Sequence, residues 1–137
     1  MNETDLAWAA GFIDGEGCIT ITPRQKKQAL CFGLALTVGN TVKEPLDRLV
    51  SLFGGHLYSQ PPHGQGRREM WIWRVTGKAA QPVLKAIHEH LSVKQRQATI
   101  ATVFPIGNRS PRSPLAAILQ EECYKAMKSA NGAGAAA

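Results

Sequence analysis

Apolar residues recur along this chain with two different periods, and the switches between those periods lay out its elements. From Asp5, a good N-cap, to about Asp14, the residues Leu6, Ala9, Phe12 and Ile13 fall at helical spacing, which predicts a helix with one buried face. On another face Ala7, Gly11 and Gly15 follow at i, i+4 and i+8, a ridge almost without side chains that lets a second helix approach nearly backbone to backbone. Gly15 and Gly17 bracket Glu16 and are expected to end the helix in left-handed conformations, leaving that acid at its tip. Cys18-Ile19-Thr20-Ile21-Thr22 then alternates with period two, a strand with one face under helices and with Thr20, Thr22 and Arg24 on the other. Residues 24–29 read as a polar loop and Leu30 to Val38 as the returning strand.

The pattern then repeats. A second helix starts within Asn40 to Glu44, runs to Phe53 with Leu46, Leu49, Val50 and Phe53 on one face, and stops at Gly54-Gly55. His56 to Gln60 and Glu69 to Thr76 read as strands around the loop from Pro61 to Gly66. Ala79 to Leu91 reads as a helix with Val83, Leu84, Ile87 and Leu91 in register, and residues 94–104 as a shorter one. Three prolines between Pro105 and Pro114 mark a linker, and Leu115 to Lys128 reads as a helix burying Leu115, Ile118, Leu119, Cys123 and Met127. The order αββαββα with extra helices implies an α+β domain: one antiparallel four-stranded sheet with helices on one face. The expected division is a core at 1–104, a linker and C-terminal helix at 105–130, and a disordered tail at 131–137.

Composition changes the picture only through charge. Sixteen basic against ten acidic residues give a net charge of +6 and a pI near 9.6, which favours a polyanionic partner. The acids Glu3, Asp5, Asp14 and Glu16 all lie in the first 17 residues, without a Lys or Arg. The remainder holds 16 basic and 6 acidic residues, a net of +10. A basic body around an acidic helix suits gripping a polyanion while holding a cation at one point. Three widely spaced cysteines, Cys18, Cys31 and Cys123, indicate neither a disulfide framework nor a zinc cluster. They read as reduced thiols of an intracellular protein, in the cytoplasm or an organelle, and no secretory leader or membrane span is visible. His88 and His90 read as surface histidines.

Ala9-Ala10-Gly11-Phe12-Ile13-Asp14-Gly15-Glu16-Gly17 resembles the motif of the LAGLIDADG homing endonucleases, matching it at Ala10, Gly11, Ile13, Asp14 and Gly17. The resemblance extends from residue 5 to about 104, through Asn40 after the second strand, the Phe53-Gly54-Gly55 turn and the segment Lys94-Gln95-Arg96-Gln97-Ala98. It implies a saddle-shaped sheet on DNA and, with one motif per chain, a homodimer joined through Ala7, Gly11 and Gly15, with Asp14 as a cap or an interface acceptor rather than a metal ligand. It also implies cleavage of a pseudo-palindromic double-stranded site. Glu16 would ligate Mg²⁺ helped by the Gly15 carbonyl, with Mn²⁺ as a possible substitute and Ca²⁺ as a non-catalytic one, and with no small-molecule cofactor. Asn40 would position water and Lys94 would lie near the scissile phosphate.

A four-stranded sheet covered on one side leaves an open face, and two-stranded ribbons of such a face fit the major groove. Thr20, Thr22, Arg24, Thr37, Ser59 and Arg74 are therefore candidates for contacts at or near base edges. Lys26, Lys27, Arg67 and Arg68, at loop tips, are candidates for phosphates. Trp71 and Trp73 share one strand parity, which fits either a core or a stacking surface. Where relatives often carry an Arg one helical turn after the Asn40 position, this chain has Thr41-Val42-Lys43-Glu44, with only Lys43 as a candidate substitute. That departure leaves open a second function class, a non-cleaving nucleic-acid-binding protein such as an intron maturase or a regulator.

Overall fold

A computed structural model describes residues 1–26, 29–62, 68–106 and 113–136. Helix α1 (Glu3–Glu16) leads into a hairpin of β1 (Gly17–Lys26) and β2 (Ala29–Asn40). Helix α2 (Glu44–Phe53), strands β3 (His56–Gln60) and β4 (Met70–Thr76), and helices α3 (Ala80–Ile87), α4 (Gln95–Val103) and α5 (Pro114–Ala136) follow. The four strands form one antiparallel sheet in the order β1-β2-β4-β3. This is the expected α+β architecture. Among the described residues no helix is long and apolar enough to cross a membrane.

The core lies between this sheet and the helices on one of its faces. Alternate residues of each inner strand enter it: Ile19 and Ile21 from β1, Leu34, Leu36 and Val38 from β2, Trp73 and Val75 from β4. They meet Ala9, Ala10 and Ile13 of α1, Leu46 and Leu49 of α2, Val83, Leu84 and Ile87 of α3, and Ala98 and Ala101 of α4. Each large side chain taken out of water here contributes about 1.5–3 kcal/mol. Trp73 is fully buried and donates its indole N–H to Gly54 O at 2.7 Å, so its polar atom is satisfied. Trp71 shares that side of the sheet, with the Lys43 ammonium 5.1 Å from its ring centre. Both tryptophans therefore belong to the helix-covered face. Gly54 and Gly55 close α2 with φ of 75° and 94°, and a Cβ on Gly55 would stand 2.8 Å from Trp73 Nε1.

Several local expectations are corrected. The N-cap of α1 is Asn2, whose side chain accepts from the Asp5 N–H at 2.8 Å. Helix α1 also runs two residues past Asp14, to Glu16. Gly17 is extended, with φ −88° and ψ 166°, and Gly15 lies inside the helix, so neither is left-handed. Gly17 is needed for close approach instead: an added Cβ would sit 2.7 Å from Ile13 O and 2.9 Å from Ile13 Cγ2. The hairpin strands extend to Lys26 and from Ala29, beyond the expected loop boundaries. Helix α5 buries Met127 and packs Cys123 against the core, as its stripe predicts, but its first turns face the other way: Gln120 is buried, whereas Leu115, Ile118 and Leu119 are exposed. Tyr124 of α5 packs on Phe32 at 5.1 Å between ring centres. The helix runs to Ala136, and Asn131 donates its side-chain N–H to Ile19 O of β1 at 3.0 Å.

Candidate functional site

The ladder registers generate the open face row by row. Starting level with Glu16, the rows are Gly39–Ile72–Tyr58, then Cys18–Thr37–Arg74–His56, then Thr20–Ala35–Thr76, then Thr22–Gly33, then Arg24–Cys31. Because side chains alternate across a strand, everything in these rows looks away from the helices. Thr20, Thr22 and Arg24 thus share the open face, as the alternation of β1 suggested, and Thr37 and Arg74 join them there. Arg24 lies across β2: a Cβ added to Gly33 would fall 2.7 Å from Arg24 Nε, so only glycine leaves room for the guanidinium there.

Ser59 is a correction. It pairs with Trp71 and has the parity of Leu57 and Trp73, so it belongs to the helix side, and His56, Tyr58 and Gln60 are the open-face residues of β3. Cys18, exposed and in the same row as Arg74, is also part of this face. Both were missed in the sequence, although strand parity held the signal, since Cys18 alternates with Ile19 and Tyr58 with Leu57. Arg68 is exposed where the chain approaches β4. Lys27 and Arg67 lie outside the described residues, as does the side chain of Lys26.

The tip of α1 assembles the second part of the site. Gly17 N–H bonds to Ile13 O, and the Lys94 ammonium bonds to Asp14 O at 2.6 Å. Of the last-turn carbonyls that a helix leaves without internal partners, Gly15 O and Glu16 O are taken by neither bond. Glu16 is exposed, and among the described residues its carboxylate forms no ion pair. A free carboxylate, carbonyl oxygens and the partial negative charge of a helix C-terminus together form a hard, cation-attracting end.

Asp14 has a different job. Its Oδ2 accepts from Ser92 N–H at 2.6 Å and its Oδ1 from Val93 and Lys94 N–H at 3.0 and 2.9 Å, capping the start of α4. Its carboxylate therefore acts as a cap within its own chain, one of the two roles expected of it. Asn40 ends β2 on the helix side, paired with Trp71, and its Oδ1 accepts from Val42 N–H at 2.9 Å, leaving the amide NH₂ as its free function. Lys43, the one basic residue of the segment 41–44, is held by Asp47 at 3.5 Å and by the Trp71 ring.

The ridge on α1 is open. Ala7, Gly11 and Gly15 are all exposed, and a Cβ added at Gly11 or Gly15 would meet nothing within 4 Å. The neighbouring stripe is held internally, with Trp8 stacked on Phe12 at 5.6 Å and under the Arg48 guanidinium at 4.0 Å, while Arg48 also reaches Asp5 at 3.3 Å. Among the described residues, the three-group carboxylate and histidine cluster of metal-binding size is Glu3, Glu89 and His90, at the other end of α1 from Glu16. One chain therefore offers a single carboxylate at the helix tip.

No family model matches the sequence, and no curated protein matches it. Solved structures do. The homing endonuclease I-CvuI, in complex with its target in the presence of Ca²⁺, superposes with a TM-score of 0.68 at 20% identity, over 96% of this chain and 94% of that one. The meganuclease I-SmaMI bound to uncleaveable DNA gives a TM-score of 0.66 at 17% identity, over 94% of this chain but 46% of that one. The archaeal intron-encoded homing endonuclease I-Vdi141I complexed with DNA gives 0.59 at 11% identity, over 94% and 98%. The fold of this chain is that of the LAGLIDADG homing endonucleases.

Proposed function

We propose that this chain is a single-motif LAGLIDADG homing endonuclease: an intracellular homodimer that cuts both strands of a specific, pseudo-palindromic DNA site with a divalent metal ion. One observation carries it. The free Glu16 carboxylate stands at the tip of a helix whose Ala7-Gly11-Gly15 ridge has nothing packed on it within the chain. A Mg²⁺ site takes near-octahedral oxygen ligands from one or two carboxylates, waters and substrate phosphates, which one Glu16 does not complete. Two chains joined ridge to ridge would set two Glu16 side chains at one axis, each beside a phosphate. The match to only 46% of the I-SmaMI chain fits a unit that works in pairs.

Mg²⁺, or Mn²⁺ in its place, would neutralise charge on the scissile phosphate and lower the pKa of an attacking water, while Ca²⁺ would support binding without turnover. The chain supplies the rest. Glu16 and Gly15 O present hard oxygen ligands at the negative end of α1. Lys94, anchored by its ammonium on Asp14 O, brings a positive charge to the same end for the leaving strand. The Asn40 amide, with its oxygen committed to Val42, is left to hold a water through its NH₂. The open face reads the major groove through Thr20, Thr22, Arg24, Thr37 and Arg74, and Arg68 grips phosphate.

The test pairs cleavage with binding, on duplexes selected from a random library. Glu16→Gln keeps the size and hydrogen-bonding capacity of the side chain and removes its charge. Nicking in Mg²⁺ should fall by about three orders of magnitude, since metal-borne stabilisation contributes several kcal/mol and each ~1.4 kcal/mol is tenfold in rate. Gel-shift affinity in Ca²⁺ should survive. Cleavage that persists in Glu16→Gln refutes the proposed site, and a wild type that binds yet cuts in neither Mg²⁺ nor Mn²⁺ is instead the non-cleaving maturase or regulator.

A further inference from the structure

We infer that the corner of the open face formed by Tyr58, Met70 and Ile72 reads the 5-methyl groups of thymine, so that each half-site presents thymines to β3 and β4 at its inner positions. This rests on the DNA-cleaving function proposed above and adds to it a class of sequence. The open face is chemically zoned. Along β1 and β2 it carries the hydroxyls of Thr20, Thr22 and Thr37 and the Arg24 guanidinium. At the β3–β4 side, level with Glu16, its centre is apolar, Ile72 pairing with Tyr58 and Gly39, and the polar groups stand at the margin: the Gln60 amide, paired with Met70, and the Tyr58 hydroxyl.

Tyr58 and Met70 are each 41% exposed, although the core beneath the opposite face is fully formed. Gly39 explains how the patch becomes continuous. A Cβ there would stand 3.4 Å from Met70 Sδ, so the thioether lies back across β2 beside Ile72. The base edges of the major groove carry donors, acceptors and one apolar group, the thymine methyl. A donor or acceptor pressed against Met70 and Ile72 would lose its water without gaining a partner, whereas a methyl gains contact area and leaves nothing unsatisfied. Register places this corner in the row level with Glu16, and the hydroxyl and guanidinium rows lie progressively farther out. The thymine-reading positions are thus the inner ones of the half-site.

Selection of binding sites from two random duplex libraries, in Ca²⁺ and with the full chain, tests this directly. One library contains thymidine and the other deoxyuridine throughout, which keeps base pairing and removes only the methyl. Wild type should enrich thymine at inner positions of the first library. In the second that inner preference should vanish while the outer preference remains. Binding to the selected site should weaken about fourfold for each methyl removed, equivalent to ~0.8 kcal/mol per buried methyl-sized group. Replacing both exposed residues, Tyr58→Ser with Met70→Ser, should erase the inner thymine preference in the first library without changing the outer positions. An unchanged inner preference in the deoxyuridine library or in the double variant overturns this inference and leaves the proposed function standing. No enrichment of any sequence in either library overturns both.

Discussion

Asp14→Ala separates the cap from every other role that Asp14 has been given. The carboxylate accepts three backbone N–H groups from Ser92, Val93 and Lys94. A hydrogen bond to a charged group contributes about 1.5–3 kcal/mol when well buried, but Ser92 and Val93 are exposed, and water replaces part of what is lost. About 1 kcal/mol per bond is the appropriate scale, within the ~0.5–2 kcal/mol of an ordinary single N-cap, which makes about 3 kcal/mol for the three bonds. Two local effects oppose the loss. Alanine is the better helix former by about 0.7 kcal/mol, and an acid in the last turn of α1 sits unfavourably in the helix dipole by about 0.5 kcal/mol. The net cost is about 2 kcal/mol, or a Tm lowered by about 5–8 °C for a domain of this size. Asp14→Asn keeps one acceptor oxygen and should lose about half as much. Thermal unfolding at fixed protein concentration and without DNA measures both. If Asp14→Ala unfolds within 1 °C of wild type, the three bonds do not hold the start of α4; a gain in stability would mean that the helix terms alone decide.

Three further outcomes follow from the same geometry. Gly11→Val meets nothing inside the chain, so unfolding of the monomer should be unchanged or slightly later, while sedimentation should show the dimer lost; a variant that still dimerises would place the interface elsewhere. Cys18, exposed on the open face, should react first with a thiol reagent, and a bulky adduct there should block DNA binding. Cys123 should react slowly: burial, and secondarily the Glu122 charge, raise its pKa, so it stays protonated to higher pH in the folded chain than in the unfolded chain. Its contribution to stability is then intact below pH 9 and falls as pH rises above it, which a pH series of unfolding midpoints checks. Gly33→Ala should displace the Arg24 guanidinium, changing the base preferred at one outer position by about tenfold in selection, with under ~1 kcal/mol of stability lost because a flexible side chain yields.

Most of the architecture was legible because two periods, 2 and 3.6, say which residues face the same way. Cys18 to Thr22 announced both faces of β1, and Gly54-Gly55 the end of α2. What periodicity does not say is which apolar stripe finds a partner. On α5, Leu115, Ile118 and Leu119 formed the stronger stripe, yet the buried face holds Gln120, whose side-chain N–H caps Pro105 O at 2.8 Å. Gln97 on α4 is likewise buried, and its amide reaches Ala130 O at 3.4 Å, a long-range match that no local pattern encodes. Asp14 belongs with these, because its partners lie 78 to 80 residues away. Ser59 is different: its parity with Leu57 was available in the sequence, and its hydroxyl suggested the wrong face.

The bond from Asn131 to Ile19 O has a meaning beyond the packing of α5. A sheet of order β1-β2-β4-β3 has two free edges, and β1, ten residues long, is the one with length enough to template another strand. Its partner edge, β3, is half that length at five residues. By laying α5 along β1 and occupying one of its outward carbonyls, the C-terminal helix acts as a guard against self-association of the wrong kind. A chain shortened before Asn131 would keep its open face and its Glu16 tip and yet leave the Ile19 carbonyl of β1 open to a strand of another copy. Its first failure would be β-mediated aggregation, well before any loss of the chemistry at α1.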